Sequence, residues 1–347
     1  MSAFTFEPDQ KNARMNYSVL LKKIIFLTLP AFLLSNVHAQ SSGDYRSNSP
    51  LMTWHTPSDW QTWNVASSSW ISAVVSPDSS HGTITIQQGH TVTVSNPLVV
   101  DQLVVEGTLI NSTTDFVVSG SIIFENNSLY QHSFPSSQPT AGTIPMAIWK
   151  PGSTCEIRAC GNAFQPGSLN QTFHHFIWNN STQPHDFNLI ANPNKVNGNF
   201  EIKNTNGKNL VYKGGSAGDL LISDSLKITG GTFILTNGSS STNIGAATYY
   251  QDGGCLDLSA SGVACTLSVV NHFTHTGGTI QRSGSSSSNC ILLNEPGPAT
   301  MESIGFRTTD PIVFMISKEA GTGTCVIPIQ KLFVLNQLTR FTLLDNK

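Results

Sequence analysis

Charged residues are scarce in this sequence, and the scarcity excludes several classes of function. Asp, Glu, Lys and Arg make up 11% of the 347 residues, against roughly 25% in an average soluble protein. With 18 Lys and Arg against 21 Asp and Glu, no basic stripe is available for a nucleic-acid backbone or for acidic lipids. We therefore expect no nucleic-acid partner, and a surface wetted by Ser, Thr, Asn and Gln.

Motifs that carry chemistry are also missing. The sequence has no CxxC pair, no GxSxG elbow, no phosphate-loop glycine spacing and no Asp-rich loop for calcium. The nearest approach to a metal set is His174 and His175 with His185, but adjacent residues of a strand point to opposite faces. Exposed histidines are the favoured interpretation, and the sequence predicts neither a metal nor a cofactor.

Long apolar runs are absent except near the N-terminus. Lys22 and Lys23 precede an apolar run over residues 24–34, and small and polar residues follow up to Ala39. This order is typical of a secretory signal peptide over residues 1–39, and the run is shorter than the roughly 20 residues of a membrane span. We expect a secreted protein with no membrane span after cleavage. A buried core helix and a translation start at Met15 stay open as alternatives.

Short β-branched runs separated by turn residues fill the chain from Thr83 onward, which indicates an almost all-β protein. A glycine pair recurs in this part at spacings of 23 and 24 residues, as Gly230-Gly231, Gly253-Gly254 and Gly277-Gly278. A period of 20–30 residues with several strands per copy fits one coil of a β-solenoid. We predict a right-handed parallel β-helix over residues 83–347, with a β-sandwich as the alternative.

The glycine register makes three large apolar residues equivalent. Leu226, Tyr249 and Phe273 each stand four residues before a glycine pair, so we expect them to stack inward in three successive coils over residues 219–289. Residues 131–199 fit the period poorly and are predicted to be irregular and rich in loops. The chain ends in strand-like sequence without the polar cap that a solenoid end needs, so we expect it to be truncated at the C-terminus.

Four of the six tryptophans lie within 17 residues, immediately before the β body. They are Trp54, Trp60, Trp63 and Trp70. Exposed indoles can stack on sugar faces, whereas buried ones can plug the end of the first coil. An uncapped solenoid end exposes edge strands, so a Trp-rich cap over residues 40–82 is favoured, with Trp60 or Trp63 buried near Ile84 and Ile86. A glycan platform is the alternative.

Four segments carry a resemblance to a known group of proteins. Gly43-Asp44-Tyr45-Arg46-Ser47 followed by the tryptophans, residues 82–94, Gly142-Thr143-Ile144-Pro145 and residues 168–173 resemble phrases in large secreted modular proteins of Bacteroidota. The resemblance covers most of residues 43–290 and its motifs are structural. It implies an extracellular or cell-surface protein with adhesin-like β-helical repeats, often exported by type IX secretion, and it implies no catalytic residue.

Carboxylates offer weak support for catalysis. A carbohydrate-active β-helix needs acids about 5–10 Å apart on one face, but no two acids are equivalent in the three aligned repeats. Asp252 and Asp257 flank one corner and are the best candidates, although aspartate is ordinary at a turn.

The preferred function is therefore a rod-like, non-enzymatic surface or adhesion module that contacts glycans, matrix or neighbouring cells. The alternative is a polysaccharide lyase or glycosidase, which acids and bases clustered on one face would favour. A fragment with a catalytic domain downstream is a third interpretation.

Six cysteines lie in the exported part, where disulfides can form. Cys265 and Cys290 fall at nearly equivalent positions of adjacent repeats, and parallel strands about 4.8 Å apart lie within the range of a disulfide. A Cys265–Cys290 disulfide and a small loop closed by Cys155 and Cys160 are predicted. Stacked side chains point the same way, so a ladder of free thiols is the alternative.

Overall fold

The structure, a computed structural model, describes residues 40–113, 116–135, 137–162, 164–214, 218–285, 289–295, 300–303, 312–318 and 340–345. Within these ranges the chain forms β-strands and one short 3-10 turn, Pro57–Asp59. The strands are β1 (Tyr45–Ser47), β2 (Leu51–Thr53), β3 (Trp60–Asn64), β4 (Ser69–Ser72), β5 (Ile84–Ile86), β6 (Thr91–Val94), β7 (Leu98–Val105), β8 (Thr108–Asn111), β9 (Phe116–Phe124), β10 (Leu129–Phe134), β11 (Ile148–Trp149), β12 (Thr154–Cys160), β13 (His175–Asn179), β14 (Phe187–Asn188), β15 (Lys195–Val196), β16 (Phe200–Asn204), β17 (Asn209–Lys213), β18 (Leu220–Ile228), β19 (Thr232–Thr236), β20 (Thr242–Asp257), β21 (Cys265–Gln281), β22 (Cys290–Glu295), β23 (Thr300–Ser303), β24 (Val313–Lys318) and β25 (Arg340–Asp345).

Apart from β3 and β4, these strands stack in parallel as a β-solenoid of about 9 turns, which confirms the predicted fold class. One sheet, here called sheet A, has the order β11-β9-β7-β5-β1-β3-β4. The other strands form sheet B, in which β18, β20 and β21 are long enough to bend around corners and pair on more than one face of the coil. Among the described residues no helix is long and apolar enough to cross a membrane.

One ladder of paired residues runs through sheet B from β2 to β23. Each member pairs with the next across adjacent parallel strands, and the members from Met52 to Phe273 are at most 4% exposed. The three residues that the glycine repeat made equivalent are among these buried members, so the predicted inward stacking is confirmed. In order, the ladder is Met52, Val92, Leu109, Tyr130, Cys155, Phe176, Phe200, Leu226, Tyr249, Phe273 and Met301.

The glycine pairs lie at corners of the coil. The second glycine of each pair, Gly231, Gly254 and Gly278, has a φ of 68°, 60° and 79° respectively, a region that residues with a Cβ rarely adopt. A Cβ on Gly254 would also lie 2.5 Å from the carbonyl oxygen of Gly231 in the coil below. The pair therefore allows the backbones of neighbouring coils to approach closely at the corner.

The sequence register slips by one residue within the same repeat. Leu220 pairs with Ile244, which pairs with Leu267, where the glycine spacing placed Asn243. An irregularity in β18 between Ile222 and Ser225 adds a residue to one coil and not to the next. Because side chains alternate along a strand, such a bulge restores an apolar residue to the interior.

Residues 131–199 continue the stack. The strands of this region, β11 to β15, all pair in parallel with their neighbours, and the connections over residues 135–147 and 161–174 are long. Even these connections approach each other in register, through a parallel bridge between Thr143 and Gly167. The prolines of the region therefore lie in loops around regular coils.

The N-terminal end combines a first coil with a covering hairpin. Strands β1 and β2 pair in parallel with β5 and β6, so the stack begins at Tyr45 and not at Thr83. Strand β3 pairs antiparallel with β1, and β4 pairs antiparallel with β3, so the hairpin covers the outer edge of β1. Trp54 and Trp60 are fully buried and belong to the same core as Ile84 and Ile86, which confirms the predicted burial of Trp60.

Candidate functional site

The outer face of the β3–β4 hairpin carries two half-buried tryptophans. Trp63 and Trp70 pair across the hairpin, with ring centroids 5.4 Å apart and ring planes at 67°. The guanidinium carbon of Arg46 in β1 lies 4.5 Å from the centroid of the Trp70 ring. We call Arg46, Gln61, Trp63 and Trp70 the aromatic platform.

Strand alternation explains why the four tryptophans separate. Trp60 and Trp63 are an odd number of residues apart in β3, so their side chains leave opposite faces. The hairpin turn that brings Trp70 opposite Trp63 is stabilised by the side-chain oxygen of Asn64, which accepts hydrogen bonds from the backbone amides of Ala66 (2.9 Å) and Ser67 (3.2 Å). Of the three indoles on the hairpin, Trp60 therefore faces inward, whereas Trp63 and Trp70 face outward.

The inner pair has structural partners. The Trp54 and Trp60 rings lie 4.8 Å apart, Trp54 Nε1 donates a hydrogen bond to the Pro77 carbonyl, and Trp60 Nε1 donates to the Trp54 carbonyl, both at 2.8 Å. These contacts satisfy the only polar group of each indole. Trp54 and Trp60 therefore close the first coil, and only Trp63 and Trp70 are left as candidates for sugar stacking.

Arg46 gives the platform its charge. Its Nε donates a hydrogen bond of 2.8 Å to Gln61 Oε1, which fixes the guanidinium over the Trp70 ring. Partial burial lowers the pKa of Arg46. Among the residues that the structure describes, no carboxylate oxygen lies within 4.0 Å of this guanidinium. The sequence pattern drew attention to Arg46 only within the resemblance, because its partners Gln61 and Trp70 lie on other strands.

A second candidate surface lies on the outer side of sheet B. Its ladder begins with Gln131, Glu156 and Ile177 and continues with Glu201, Lys227 and Tyr250, and we call these six residues the charged face. The sequence did not single out Glu156 or Glu201, because both lie outside the three glycine repeats. A search for acids spaced by about one coil length could have found them.

Both carboxylates of the charged face have partners within the protein. Glu156 accepts hydrogen bonds of 2.8 Å from Gln131 Nε2 and from Asn179 Nδ2. Glu201 Oε2 lies 3.5 Å from Lys203 Nζ, and Lys227 is its neighbour on the next strand. Opposite charges on adjacent strands stabilise a sheet, so these groups contribute to the stack itself.

Histidines border the charged face without forming a metal site. His175 Nδ1 accepts a hydrogen bond of 2.9 Å from the Asn199 amide, and burial together with the neighbouring His174 lowers the pKa of His175. His185 contacts the Phe187 ring in the next stretch of chain. Among the described residues, no group of three or more His, Cys, Asp or Glu side chains could hold a metal ion.

The structure does not bring Asp252 and Asp257 together. Asp252 lies beside the charged face and accepts a hydrogen bond of 3.0 Å from the Tyr250 hydroxyl. Asp257 lies beyond the corner, where it pairs with Ile234 and Gln281. It is 1% exposed, and its carboxylate accepts hydrogen bonds from the amides of Ser259 (3.0 Å) and Ser283 (3.2 Å) and from Gln281 Nε2 (3.1 Å). A buried carboxylate with three such donors holds a turn in place.

The predicted cysteine pairs are also separated. Cys290 pairs with Thr266, one residue beyond Cys265, and a slip of one residue places two side chains on opposite faces. Cys155 and Cys160 lie in the same strand, β12, which rises about 3.3 Å per residue and so separates them beyond disulfide range. Cys155, Cys160 and Cys265 are free thiols in the structure. Cys325 lies outside the described residues.

Comparisons of the chain with known protein families, with curated proteins and with solved structures find no match.

Proposed function

We propose that the protein is a secreted or cell-surface β-solenoid that binds glycan chains through the aromatic platform and acts in adhesion, without catalysis. The observation that carries the proposal is the pair of outward-facing indoles, Trp63 and Trp70, held 5.4 Å apart on a rigid hairpin. Indoles are large, rigid and amphipathic, so they can cover the apolar face of a sugar at little entropic cost. The resemblance to secreted Bacteroidota proteins supports the same function.

The partners of the two surfaces favour the platform. On the charged face, the carboxylate of Glu156 is paired with two side-chain amides and that of Glu201 with Lys203. On the platform, Trp63 and Trp70 are half-exposed, and burying an aromatic side chain against a ligand contributes favourable free energy. Binding of an external partner is therefore expected to be more favourable at the aromatic platform than at the charged face.

The binding proposal is tested with the full chain on a glycan array, followed by titration of each ligand found. The double variant Trp63→Ala and Trp70→Ala is expected to weaken binding by at least about 10-fold, which corresponds to about 1.4 kcal/mol. Phe164→Ala is the matched control, because Phe164 is an aromatic side chain that is 78% exposed elsewhere. Binding that survives the double variant, or no glycan binding at all, would contradict the proposal.

The compartment is tested separately, by expressing the full chain with its leader in a bacterium that has a Sec pathway. If residues 1–39 are a signal peptide, the exported protein should begin at Gln40, as read by mass spectrometry of its N-terminal peptide. An intracellular product that retains residues 16–39 would contradict secretion. Neither result depends on glycan binding.

A polysaccharide lyase or glycosidase is the second candidate function, and the charged face is the observation that favours it. Glu156 and Glu201 occupy one ladder two strands apart, which corresponds to roughly 9.6 Å between backbones at about 4.8 Å per strand. Inverting glycosidases hold their two carboxyl groups about 6.5–9.5 Å apart. Polymer turnover that Glu201→Gln abolishes and Asp257→Asn does not would replace the adhesion proposal with this one.

A further inference from the structure

Arg46 is a cation whose surroundings are already arranged for a ligand. One side of its guanidinium plane lies against the Trp70 ring at 4.5 Å, and its Nε is held by Gln61 at 2.8 Å. These two contacts fix the plane of the guanidinium while they leave the two terminal NH₂ groups without a hydrogen-bond partner among the described residues. A fixed planar fork of this kind matches a carboxylate or sulfate group with two parallel hydrogen bonds.

No acid in the described part of the chain forms an ion pair with this guanidinium. The nearest acid along the chain, Asp44, is 9% exposed, and its two carboxylate oxygens accept hydrogen bonds from the backbone amides of Ser41 (2.6 Å) and Thr83 (2.9 Å). Partial burial lowers the pKa of Arg46. A partly buried charge without a counter-ion is unfavourable, and an external anion would relieve that cost.

We propose that the platform selects acidic glycans, with one sugar ring stacked on Trp63 and the anionic group of that sugar or its neighbour bound by Arg46. This inference rests on the proposed function, since it assigns the substrate class of the same site. The shared chemistry is a sugar-borne oxyanion, either the carboxylate of a uronic acid or a sulfate ester.

The net negative charge of the chain means that an acidic glycan would have to be bound through a local positive charge. The chain carries a net charge of −3, and removal of residues 1–39 would leave 14 basic and 19 acidic residues, a net charge of −5. Such a protein repels polyanions in general. Preference for an acidic glycan would therefore require a local cation that faces outward, and on the platform that cation is Arg46.

The test measures the dissociation constants of the full chain for an oligogalacturonate and for its methyl ester, which has the same stereochemistry but no charge. The wild-type chain is expected to prefer the acid by about 10-fold or more, which is within the range of a charge-assisted hydrogen-bond pair. In Arg46→Gln the preference should fall to about one. Arg46→Lys should give an intermediate ratio, because it keeps the charge and loses the planar fork.

Arg158→Gln is the matched control, since Arg158 is an exposed arginine in β12 of sheet B, and it should keep the wild-type ratio. A galactan and a sulfated galactan, measured in parallel, distinguish sulfate from carboxylate recognition. Raising the ionic strength from about 0.01 M to about 1 M, which shortens the Debye length from roughly 30 to 3 Å, should weaken binding of the acid and not of the ester.

The outcomes separate the two proposals. If no probe or array glycan binds, glycan binding itself is wrong. Two results would leave glycan binding intact and show that the selection of acidic glycans is wrong. The first is equal binding of the acid and its ester together with equal binding of the sulfated and plain galactans. The second is a wild-type preference for the acid that persists in Arg46→Gln. The comparison of acid and ester uses only the wild-type chain, so it holds even if a variant fails to fold.

Discussion

Some polar side chains lie inside the solenoid beside the apolar ladder. Those around Tyr130 form hydrogen bonds with one another. Tyr130 and His132 are both 0% exposed. His132 Nε2 lies 2.6 Å from the Ala141 carbonyl, which can only accept, so the proton resides on Nε2. Nδ1 then accepts from the Tyr130 hydroxyl at 3.1 Å, and the Tyr130 oxygen accepts from Asn111 Nδ2 at 3.3 Å. This arrangement requires a neutral imidazole.

Protonation of His132 should therefore destabilise the fold. Burial lowers its pKa to about 4, whereas the unfolded value is about 6.5, so the unfolded state binds more protons between these values. The free energy of unfolding is expected to fall as pH falls from about 6.5 to about 4, by about 3 kcal/mol from this residue. His132→Gln should reduce that slope in urea titrations across the range. An unchanged slope would show that other groups carry the pH dependence.

Among the structural elements, the corners between strands place the strictest demands on residue type. Gly254 needs both a positive φ and close backbone approach, whereas Gly89, in the turn between β5 and β6, has a φ of 79° and no atom within 4 Å of the position that a Cβ would take. The two glycines therefore separate the cost of backbone conformation from the cost of crowding between coils. The comparison is direct because both residues are replaced by alanine.

We expect Gly89→Ala to lower the free energy of unfolding by about 1–2 kcal/mol, the cost of a left-handed conformation. Gly254→Ala should cost roughly 1–3 kcal/mol more, because the methyl group overlaps the Gly231 carbonyl and the coils must separate. Urea denaturation of both variants gives the comparison. Equal losses would show that the corner has room for a side chain.

The repeat of the solenoid could be recognised in the sequence only where the number of residues per coil was nearly constant. From Val92 to Met301, consecutive members of the buried ladder are 17 to 28 residues apart, and only the last coils have nearly constant spacing with a glycine pair. The repeat was therefore visible in those coils alone. The one-residue slip that separated Cys265 from Cys290 arose from the same variation, because loops and bulges absorb residues without changing the ladder.

The candidate site was predictable in part for a similar reason. The clustering of four tryptophans is visible in the sequence, and three of them lie on the β3–β4 hairpin. Which two face outward depends on strand bounds, and the pairing of Arg46 with Gln61 and Trp70 depends on β1 lying beside β3. Such contacts between strands are set by tertiary structure, and nothing in the local sequence encodes them.

At the scale of the whole molecule, each coil contacts only its neighbours, so stability should be local. Trp60→Ala removes a fully buried indole from the first coil and is expected to cost about 3–5 kcal/mol there. Hydrogen exchange should show lost protection in β1 to β6 and retained protection in β16 to β21. Trp63→Ala, which removes an outward-facing indole, is the stability control. Uniform loss of protection would contradict nearest-neighbour coupling.

Parallel stacking also determines how the solenoid responds to tension. Its backbone hydrogen bonds lie along the stacking axis, so a pull in that direction loads the bonds of a terminal coil first and opens them one after another. A coil of about 24 residues contributes about 4.8 Å of folded height but releases roughly 80 Å of extended chain. A protein built in this way would yield under tension one coil at a time, and it would keep its remaining coils folded while it dissipates the load.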